Sequence, residues 1–342
     1  MDRNCFNIKD ITLGKDRTFI IAEVGSNHCG NINLAKEHIS AASSIGADAV
    51  KFQSLNVNEQ YFEPSLEIQK LHKLIDFEEN WHNELNSYAN SLGIIFSSSP
   101  TYLKAVDLLI DANVSFIKIA SAQVSLFPQI IEKISDSKIP VLISTGISNY
   151  SSLNNAIINF EKKGKKDYGI FHCNSIYPTP PEKVNLNRMK TYRRMYTCPI
   201  GFSDHTSGYA ITLAAVAKGA NMIEKHFRID DSIKSPDSIF SLTTEEFKEM
   251  ILDIRSIESS LGSSNRYDIE ASEDNFKKKI KYKLILNKSK KINDYIKSDD
   301  FLYLRHEKGI EAYYEELICK NFILNKNIKK NSLVEWSDLK GK

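Results

Sequence analysis

The 342-residue sequence contains no long apolar run and no strong excess of either charge. No stretch approaches the roughly 20 apolar residues of a membrane-spanning helix, so we expect no membrane segment. Residues 1–10 are charged and lack the apolar core of a signal peptide, which favours a cytoplasmic location. Lysine and arginine total 45 against 43 acidic residues, and this net charge of +2 gives no reason to expect a nucleic-acid partner.

Cysteine is scarce, and its spacing excludes the common cysteine-based sites. There are five cysteines, with no CxxC pair and no spacing typical of a zinc site. Free thiols in a reducing compartment fit this distribution best. No base is obviously assigned to any of them, so we do not expect a catalytic thiol.

What the sequence does contain is a regular alternation of strands and helices over residues 18–261. Eight apolar runs each end in polar residues and are followed by a helix-like stretch. This pattern predicts a closed (β/α)8 TIM barrel, in which catalytic groups lie at the carboxyl ends of the strands. The predicted strand cores are Phe19–Ala22, Ala49–Val50, Ile94–Phe96, Phe116–Ile119, Val141–Ile143, Gly169–Phe171, Ile200–Phe202 and Met222–Ile223.

The chain is longer than one barrel of about 250 residues, which predicts a small additional domain. A Gly-Ser-Ser-Asn cluster follows the last barrel helix and marks a boundary. We therefore divide the chain into a barrel (1–265), a polar linker (266–276) and a C-terminal domain (277–342). The last of these contains short β-like pieces at Tyr282–Leu286 and Phe301–Leu304.

Polar side chains follow the predicted strands where a barrel enzyme carries its chemistry. Residues i and i+2 of a strand face the same side, so Lys51 shares a face with Gln53, and Glu224 with His226. Pointing inward, the strand-end residues would converge on one pocket. The side chains that we expect in that pocket are Glu23, Lys51, Lys118, His205 and His226.

Two histidines follow consecutive strands, and each lies beside an acid. His205 is next to Asp204, and His226 is two residues from Glu224. Adjacent strands lie about 5 Å apart, so both imidazoles could reach one ion. Two nitrogen ligands with open positions favour Mn²⁺ or Mg²⁺ acting as a Lewis acid over closed structural zinc. A purely structural role for the histidines is the alternative.

Two strand-end lysines and several serines favour a bound phosphate. Lys51 and Lys118 are predicted to be buried, and buried lysine usually meets an anion. Internal ion pairs with Glu23 or Asp204 remain possible, as does a Schiff-base aldolase. The serines near the strand ends that would form the phosphate cradle are Ser99, Ser121, Ser144, Ser175 and Ser203.

Seven segments of the predicted barrel stand out by their order and spacing: FIIAEVGSNHCGN (19–31), GADAVKFQS (46–54), FIKIAS (116–121), ISTG (143–146), HCNSIYPTPPEKVNL (172–186), GFSDHTSG (201–208) and GANMIEKHF (219–227). Taken together, they resemble the sialic acid synthase family, the phosphoenolpyruvate-condensing nonulosonate synthases. The tail carries the weaker pieces LRHEKGI (304–310) and NKNIKKNSLVEWSDL (325–339), on which it looks like the small antifreeze-like (SAF) domain of that family.

The resemblance implies condensation of phosphoenolpyruvate with an open-chain N-acylated hexosamine of the N-acetylmannosamine type. It assigns His205 and His226 to the divalent metal and makes Glu23 the residue that orients a water molecule. A domain-swapped homodimer is also implied, in which Arg305 reaches the neighbouring active site. The implied catalytic residues are Glu23, Lys51, Lys118 and Asp204. The implied substrate-binding residues are Gln53, Ser99, Ser121, Gln123, Ser144, Asn174, Ser175, Tyr177, Ser203, Asp237 and Arg305.

Three departures from the family pattern lie on the acceptor side. Gln123 stands where an acid is usual, Ser238 replaces a histidine, and His306-Glu307 replaces Pro-Gly after Arg305. Glutamine cannot act as a general base, so we expect conserved chemistry with an altered acceptor. Two alternatives remain: a related synthase acting on a phosphorylated aldose, and an inactive barrel that serves as a scaffold.

Overall fold

The computed structural model describes residues 5–15, 17–262 and 270–342. The chain forms two compact units, residues 1–262 and residues 263–342. The predicted boundary at residue 265 and the first residues of the predicted linker lie outside the described residues. No helix in the described ranges is long and apolar enough to cross a membrane.

The first unit is the predicted (β/α)8 barrel. Its eight parallel strands are β3 (Phe19–Glu23), β4 (Ala49–Ser54), β5 (Ile95–Pro100), β6 (Ile117–Ile119), β7 (Val141–Ser144), β8 (Tyr168–His172), β9 (Ile200–Asp204) and β10 (Met222–His226). They pair in the order β5-β4-β3-β10-β9-β8-β7-β6. The two end strands of this order, β5 and β6, are linked where Ser97 Oγ donates to the Phe116 carbonyl oxygen at 2.7 Å, which nearly closes the sheet.

A short antiparallel hairpin, which the sequence did not predict, precedes the barrel. Its strands are β1 (Phe6–Ile8) and β2 (Ile11–Leu13). Phe6, Ile8 and Leu13 pack with apolar side chains from the starts of the barrel strands, such as Phe19. The hairpin therefore covers the end of the barrel opposite the carboxyl ends of the strands.

Helices follow the strands and bury their apolar faces against the outside of the sheet. The last barrel helix begins with a capping box, in which Thr243 and Glu246 bond to each other's backbone nitrogens. The barrel helices are α1 (Ile32–Ser44), α2 (Val57–Gln60), α3 (Leu66–Ile75), α4 (Trp81–Ser91), α5 (Leu103–Asp111), α6 (Ser121–Leu126), α7 (Pro128–Ser135), α8 (Tyr150–Lys162), α9 (Pro181–Val184), α10 (Arg188–Met195), α11 (Ala210–Ala217) and α12 (Thr244–Leu261).

The C-terminal unit has its own small core, with Leu284, Leu286, Ile318 and Leu324 among its buried side chains. The two strands predicted from sequence are present and pair antiparallel. The predicted linker differs, because it is helical from Ala271 onward. The elements are α13 (Ala271–Lys279), β11 (Tyr282–Leu286), β12 (Phe301–Arg305), α14 (Glu315–Asn321), β13 (Phe322–Leu324) and β14 (Leu339–Gly341).

Candidate active site

A narrow cavity lies at the carboxyl ends of the barrel strands. The parallel register pairs His226 with Glu23 and Glu23 with Lys51, so the ends of three strands meet at one level. Three residues that were not predicted to bind substrate also line the cavity, namely Ala120, Cys173 and Glu224. The predicted site residues that line it are Glu23, Lys51, Gln53, Ser99, Lys118, Ser121, Ser144, Tyr177, Ser203, His205 and His226.

Four buried charged side chains form the floor of this cavity, and we call Glu23, Lys51, Lys118 and Glu224 the cavity-facing cluster. Lys51 Nζ lies 2.7 Å from Glu23 Oε2 and 3.9 Å from Glu224 Oε2. Lys118 Nζ lies 3.3 Å from Glu224 Oε2. The cluster holds two cations and two carboxylates with almost no exposure to solvent.

Burial and charge act in opposite directions within this cluster. Burial raises the pKa of Glu23, and the Lys51 ammonium offsets only part of that rise. Burial would also raise the pKa of Glu224, but Lys118 and Lys51 together outweigh it and lower that pKa. Burial lowers the pKa of Lys118. Glu224 is therefore the permanent counter-ion, and Glu23 is the carboxylate that can take up a proton near neutral pH.

Serine hydroxyls surround the ammonium groups of the cluster. Lys51 Nζ donates to Ser99 Oγ at 3.1 Å, and Lys118 Nζ donates to Ser144 Oγ at 2.6 Å. Ser203 Oγ donates to Glu224 Oε1 at 2.9 Å. These cations and hydroxyls together suit a phosphate or a carboxylate.

Ser121 and Ser175 close one side of the cradle, with their hydroxyl oxygens 2.9 Å apart. Gly146 approaches both so closely that an added Cβ would lie 2.4 Å from each oxygen. Its φ of +21° also lies in the region that side chains rarely adopt. A residue other than glycine at position 146 would displace the two hydroxyls.

The two histidines lie side by side, with ring centroids 5.5 Å apart. His205 Nδ1 lies 2.7 Å from the Asn174 carbonyl oxygen, which can only accept, so Nδ1 carries the hydrogen and Nε2 has the lone pair. His226 Nδ1 is buried and has no hydrogen-bond partner in the described part of the chain. Burial lowers the pKa of His205 to about 3 and that of His226 to about 4, so both rings are neutral at pH 7.

Aromatic rings and one carboxylate surround the histidine pair. The Tyr177 ring lies 4.3 Å from that of His205, and the Phe240 ring lies 4.8 Å from that of His226. Asp237 Oδ2 lies 3.8 Å from His226 Nδ1 and accepts from the Ser26 backbone nitrogen at 2.8 Å. Phe240 was not predicted to lie at the site, because no strand pattern places its loop over the histidines.

The structure corrects the placement of Asp204, which was predicted to be catalytic. Ser203 and His205 face the cavity, so the residue between them faces the helices. Asp204 accepts from Thr212 Oγ1 at 2.6 Å and pairs with Lys225 at 3.4 Å, away from the cavity. Glu224, to which the sequence analysis gave no catalytic role, occupies the inward position, and its i+2 relation to His226 was the signal that could have identified it.

Asn174, Gln123 and Arg305 are among the predicted substrate-binding residues that do not line this cavity. The Asn174 side chain donates to the Lys183 carbonyl oxygen, and only its backbone reaches His205. Gln123 lies on α6, and its buried Oε1 has no hydrogen-bond partner among the described residues. Arg305 belongs to the C-terminal unit, where its guanidinium lies 5.4 Å from the Tyr282 ring.

Buried lysines, carboxylates and neutral imidazoles share one cavity at the carboxyl ends of the strands, as is typical of TIM-barrel enzymes. Comparison with known proteins identifies the family. The NeuB family model matches residues 38–266, so the chain belongs to the NeuB family. The predicted resemblance to the sialic acid synthases is thereby confirmed.

Named relatives and solved structures agree with this assignment. The chain is 33% identical to the N,N'-diacetyllegionaminic acid synthase of Campylobacter jejuni, covering 93% of this chain and 99% of that protein. It is 38% identical to an uncharacterized protein of Methanocaldococcus jannaschii over 98% of both chains. The crystal structure of a sialic acid synthetase from Leptospira borgpetersenii, in complex with citrate, superposes with a TM-score of 0.74 at 32% identity, covering 80% of this chain and 95% of that one.

Proposed function

We propose that the protein is a nonulosonic acid synthase that condenses phosphoenolpyruvate with an open-chain N-acylated hexosamine of the N-acetylmannosamine type. One observation carries the proposal: two buried lysines set among hydroxyls share a cavity with two neutral imidazoles. The relatives named as synthases of legionaminic and pseudaminic acids support an amino-sugar acceptor.

The lysines and serines are suited to hold the phosphate and carboxylate of phosphoenolpyruvate. Lys51 and Lys118 are cations fixed by Glu224, and Ser99 and Ser144 already accept hydrogen bonds from them. Donors that are ordered before the substrate arrives need no reorganisation during the reaction. We assign Ser121, Ser175 and Ser203 to the same cradle.

A divalent ion, Mn²⁺ or Mg²⁺, fits the histidine pair. His205 Nε2 and the unpartnered His226 Nδ1 would hold it, since neutral imidazoles are the form that coordinates metals. We assign the remaining positions around the ion to substrate oxygens and water, as in an open Lewis-acid site. When bound, the ion would supply Lewis-acid polarisation of the acceptor aldehyde.

The reaction then follows from the charges in the cavity. C3 of phosphoenolpyruvate forms a bond to the aldehyde carbon, whose oxygen takes up a proton and becomes a hydroxyl group, and water adds to the positive charge that develops at C2. Glu23 orients that water and accepts its proton, a role that suits a carboxylate whose pKa is raised by burial. The new C2 hydroxyl then gives up its proton to the departing phosphate as the bond between C2 and the phosphate oxygen breaks, which leaves a 2-keto-3-deoxy sugar acid.

We expect this protein to differ from its relatives in the acceptor sugar that it prefers. Gln123 and Ser238 depart from the family pattern, and we propose a deoxygenated or differently acylated hexosamine as the preferred acceptor. A comparison of kcat/KM for N-acetylmannosamine with 6-deoxy and N-acyl analogues tests this. If N-acetylmannosamine exceeds all of them, the altered-acceptor proposal is wrong.

Three further parts of the proposal rest on the family resemblance. We propose a domain-swapped homodimer, an antifreeze-like C-terminal domain and an acceptor contact by Arg305. Arg305→Ala should then raise KM for the acceptor more than KM for phosphoenolpyruvate. Equal effects on both constants would remove that role.

The primary experiment is phosphate release from phosphoenolpyruvate with Mn²⁺, measured across a panel of 2-acylamino hexoses. We expect release that requires both the metal and one class of sugar, and that is lost in Lys118→Met. If protein that binds Mn²⁺ releases no phosphate with any sugar, the scaffold alternative is favoured instead.

A further inference from the structure

A second cavity, of about 260 Å³, lies beside the candidate active site. It is formed by the turn after β7, the start of α8, the end of β8 and the exposed side of α10. None of the roles assigned so far uses it. Its lining residues are Thr145, Gly146, Ser148, Asn149, Tyr150, Leu153, Cys173, Arg188 and Tyr192.

Arg188 is the single charged residue that lines this cavity, and no acid lines it. Arg228 and Arg255 each pair with a carboxylate, at Asp231 and Glu258 respectively. The guanidinium of Arg188, by contrast, has no ion pair or hydrogen bond within the described ranges. An arginine without a counter-ion in a concave site offers the planar donor geometry that phosphate and carboxylate groups bind.

Hydroxyl groups extend the polar lining around Arg188. Tyr192 is only 6% exposed, and its ring centroid lies 5.8 Å from that of Tyr150. Ser148 and Asn149 lie just before α8, where Ser148 Oγ donates to the Ser121 carbonyl oxygen at 2.9 Å and Asn149 Oδ1 accepts from the Ser152 backbone nitrogen at 2.9 Å. The Asn149 amide nitrogen is left as a donor, so the cavity combines one guanidinium with an amide and two tyrosine side chains.

A thin wall separates this cavity from the candidate active site. Cys173 lines both cavities, and its Sγ accepts a hydrogen bond from the Gly146 backbone nitrogen at 3.1 Å. On its other side, Gly146 approaches the hydroxyls of Ser121 and Ser175 closely. A ligand that moves Gly146 would therefore also move the hydroxyls of Ser121 and Ser175, which belong to the proposed substrate cradle.

We propose that this second cavity binds a small oxyanion, a phosphate or carboxylate group held by Arg188, and that its occupancy weakens substrate binding through Gly146. The proposal rests on the proposed function in one respect: both products of that reaction carry such a group. Bound at Arg188, either product would inhibit from outside the substrate cradle.

Protection of Arg188 from phenylglyoxal tests binding without requiring turnover. The wild-type protein is modified with and without inorganic phosphate or a 2-keto-3-deoxy sugar acid, and each arginine is quantified by peptide mass spectrometry. We expect modification of Arg188 to slow about tenfold at a ligand concentration of about ten times Kd. Arg194, exposed on the same helix and outside the cavity lining, is the internal control. If Arg188 is modified as fast with each ligand as without any ligand, the proposed site is wrong. Protection by only one of the two ligands identifies the source of the oxyanion.

Inhibition kinetics test the coupling. Because occupancy is proposed to weaken substrate binding, we expect the products to raise KM for phosphoenolpyruvate less in Arg188→Met than in the wild type, and equally in Arg194→Met and the wild type. If the products raise KM as much in Arg188→Met as in the wild type, the coupling is wrong. Absence of any turnover would instead count against the proposed function, while the protection result would still decide whether the site exists.

Discussion

Strands β9 and β10 place buried charges on both faces of the barrel sheet, and each face has its own set of ion pairs. Facing inward, Glu224 pairs with Lys51 and Lys118. Facing outward, one residue along each strand, Asp204 pairs with Lys225 at 3.4 Å. All of these side chains are almost completely buried, so burial does not distinguish the two sets.

What distinguishes them is how completely each set is hydrogen-bonded. Asp204 accepts from the Thr206 backbone nitrogen and from Thr212 Oγ1, and Lys225 donates to the Thr206 carbonyl oxygen. In the cavity-facing cluster, Glu23 Oε2 is held by Lys51 at 2.7 Å, but Glu224 Oε2 receives no hydrogen bond in the described structure and has its nearest ammonium group at 3.3 Å. A buried charge indicates a functional site when it faces a cavity with bonding capacity left over, whereas a fully bonded pair is structural.

The largest expected effect comes from removing a lysine of the cavity-facing cluster. Lys51→Met leaves the Glu23 and Glu224 carboxylates without this cation and removes a donor to the proposed phosphate. We expect the rate of phosphate release to fall by about 10³-fold. Lys225→Met is the matched control, because it removes a buried lysine from the other face. If the rate of phosphate release per folded molecule falls by a similar factor in both variants, the functional distinction between the two faces is wrong.

The control substitution, Lys225→Met, should instead lower the stability of the fold. Lys225→Met strands the buried Asp204 carboxylate, and breaking a buried pair costs about 3–5 kcal/mol of the free energy of unfolding. Urea denaturation monitored on the barrel measures this loss. The double variant Asp204→Asn/Lys225→Met should recover part of it, since no uncompensated charge remains. A double variant that is less stable than Lys225→Met would contradict this explanation.

A substitution in the histidine pair tests whether its spare nitrogens bind an ion. His226→Gln removes one of the two proposed ligands and should weaken Mn²⁺ binding by at least about 100-fold, measured by calorimetry. The same change at His38, which is buried away from the cavity, should leave Mn²⁺ affinity unaltered. Phosphate release that persists in His226→Gln with a chelator present would refute the metal assignment.

The smallest expected effect is a dependence of stability on pH that arises from buried histidine. Burial lowers the pKa of His38 from its usual 6.5 to about 4. The unfolded imidazole therefore binds a proton at pH values where the folded one does not, and stability is lost as the pH falls from 6.5 towards 4. His38 should contribute about 2 kcal/mol of the loss between pH 7 and pH 5. Denaturation at both pH values should show a smaller loss in His38→Gln, whereas His306→Gln, at an exposed position, should match the wild type.

The same alternation explains what the sequence could predict. All eight barrel strands were located, because each apolar run is buried on both faces and ends in polar residues. The inward positions of Lys51 and His226 followed from the two-residue period of a strand. The predicted catalytic role of Asp204 did not follow from this period, because Asp204 lies between Ser203 and His205, which face inward. On the neighbouring strand, the period places Glu224 inward together with His226.

Other features had no periodic signal. The hairpin Phe6–Leu13 is too short for alternation to be recognised, and its role depends on filling one end of the barrel. Phe240 and Asp237 reach the histidines from a loop, whose path depends on contacts with Ser26 rather than on any local pattern. Gly146 could be recognised as a glycine that must remain one only when the hydroxyls on either side of it were located.

The meeting of β5 and β6 has a consequence for motion. Within the described residues no backbone ladder joins these two strands, and a side-chain hydrogen bond from Ser97 bridges them instead. Amide hydrogens along this seam should exchange with solvent sooner than those of β3 and β10, whose ladder is continuous. Because Ser99 and Lys118 lie on the two strands of the seam, the barrel should open first at the edge that carries the proposed phosphate ligands.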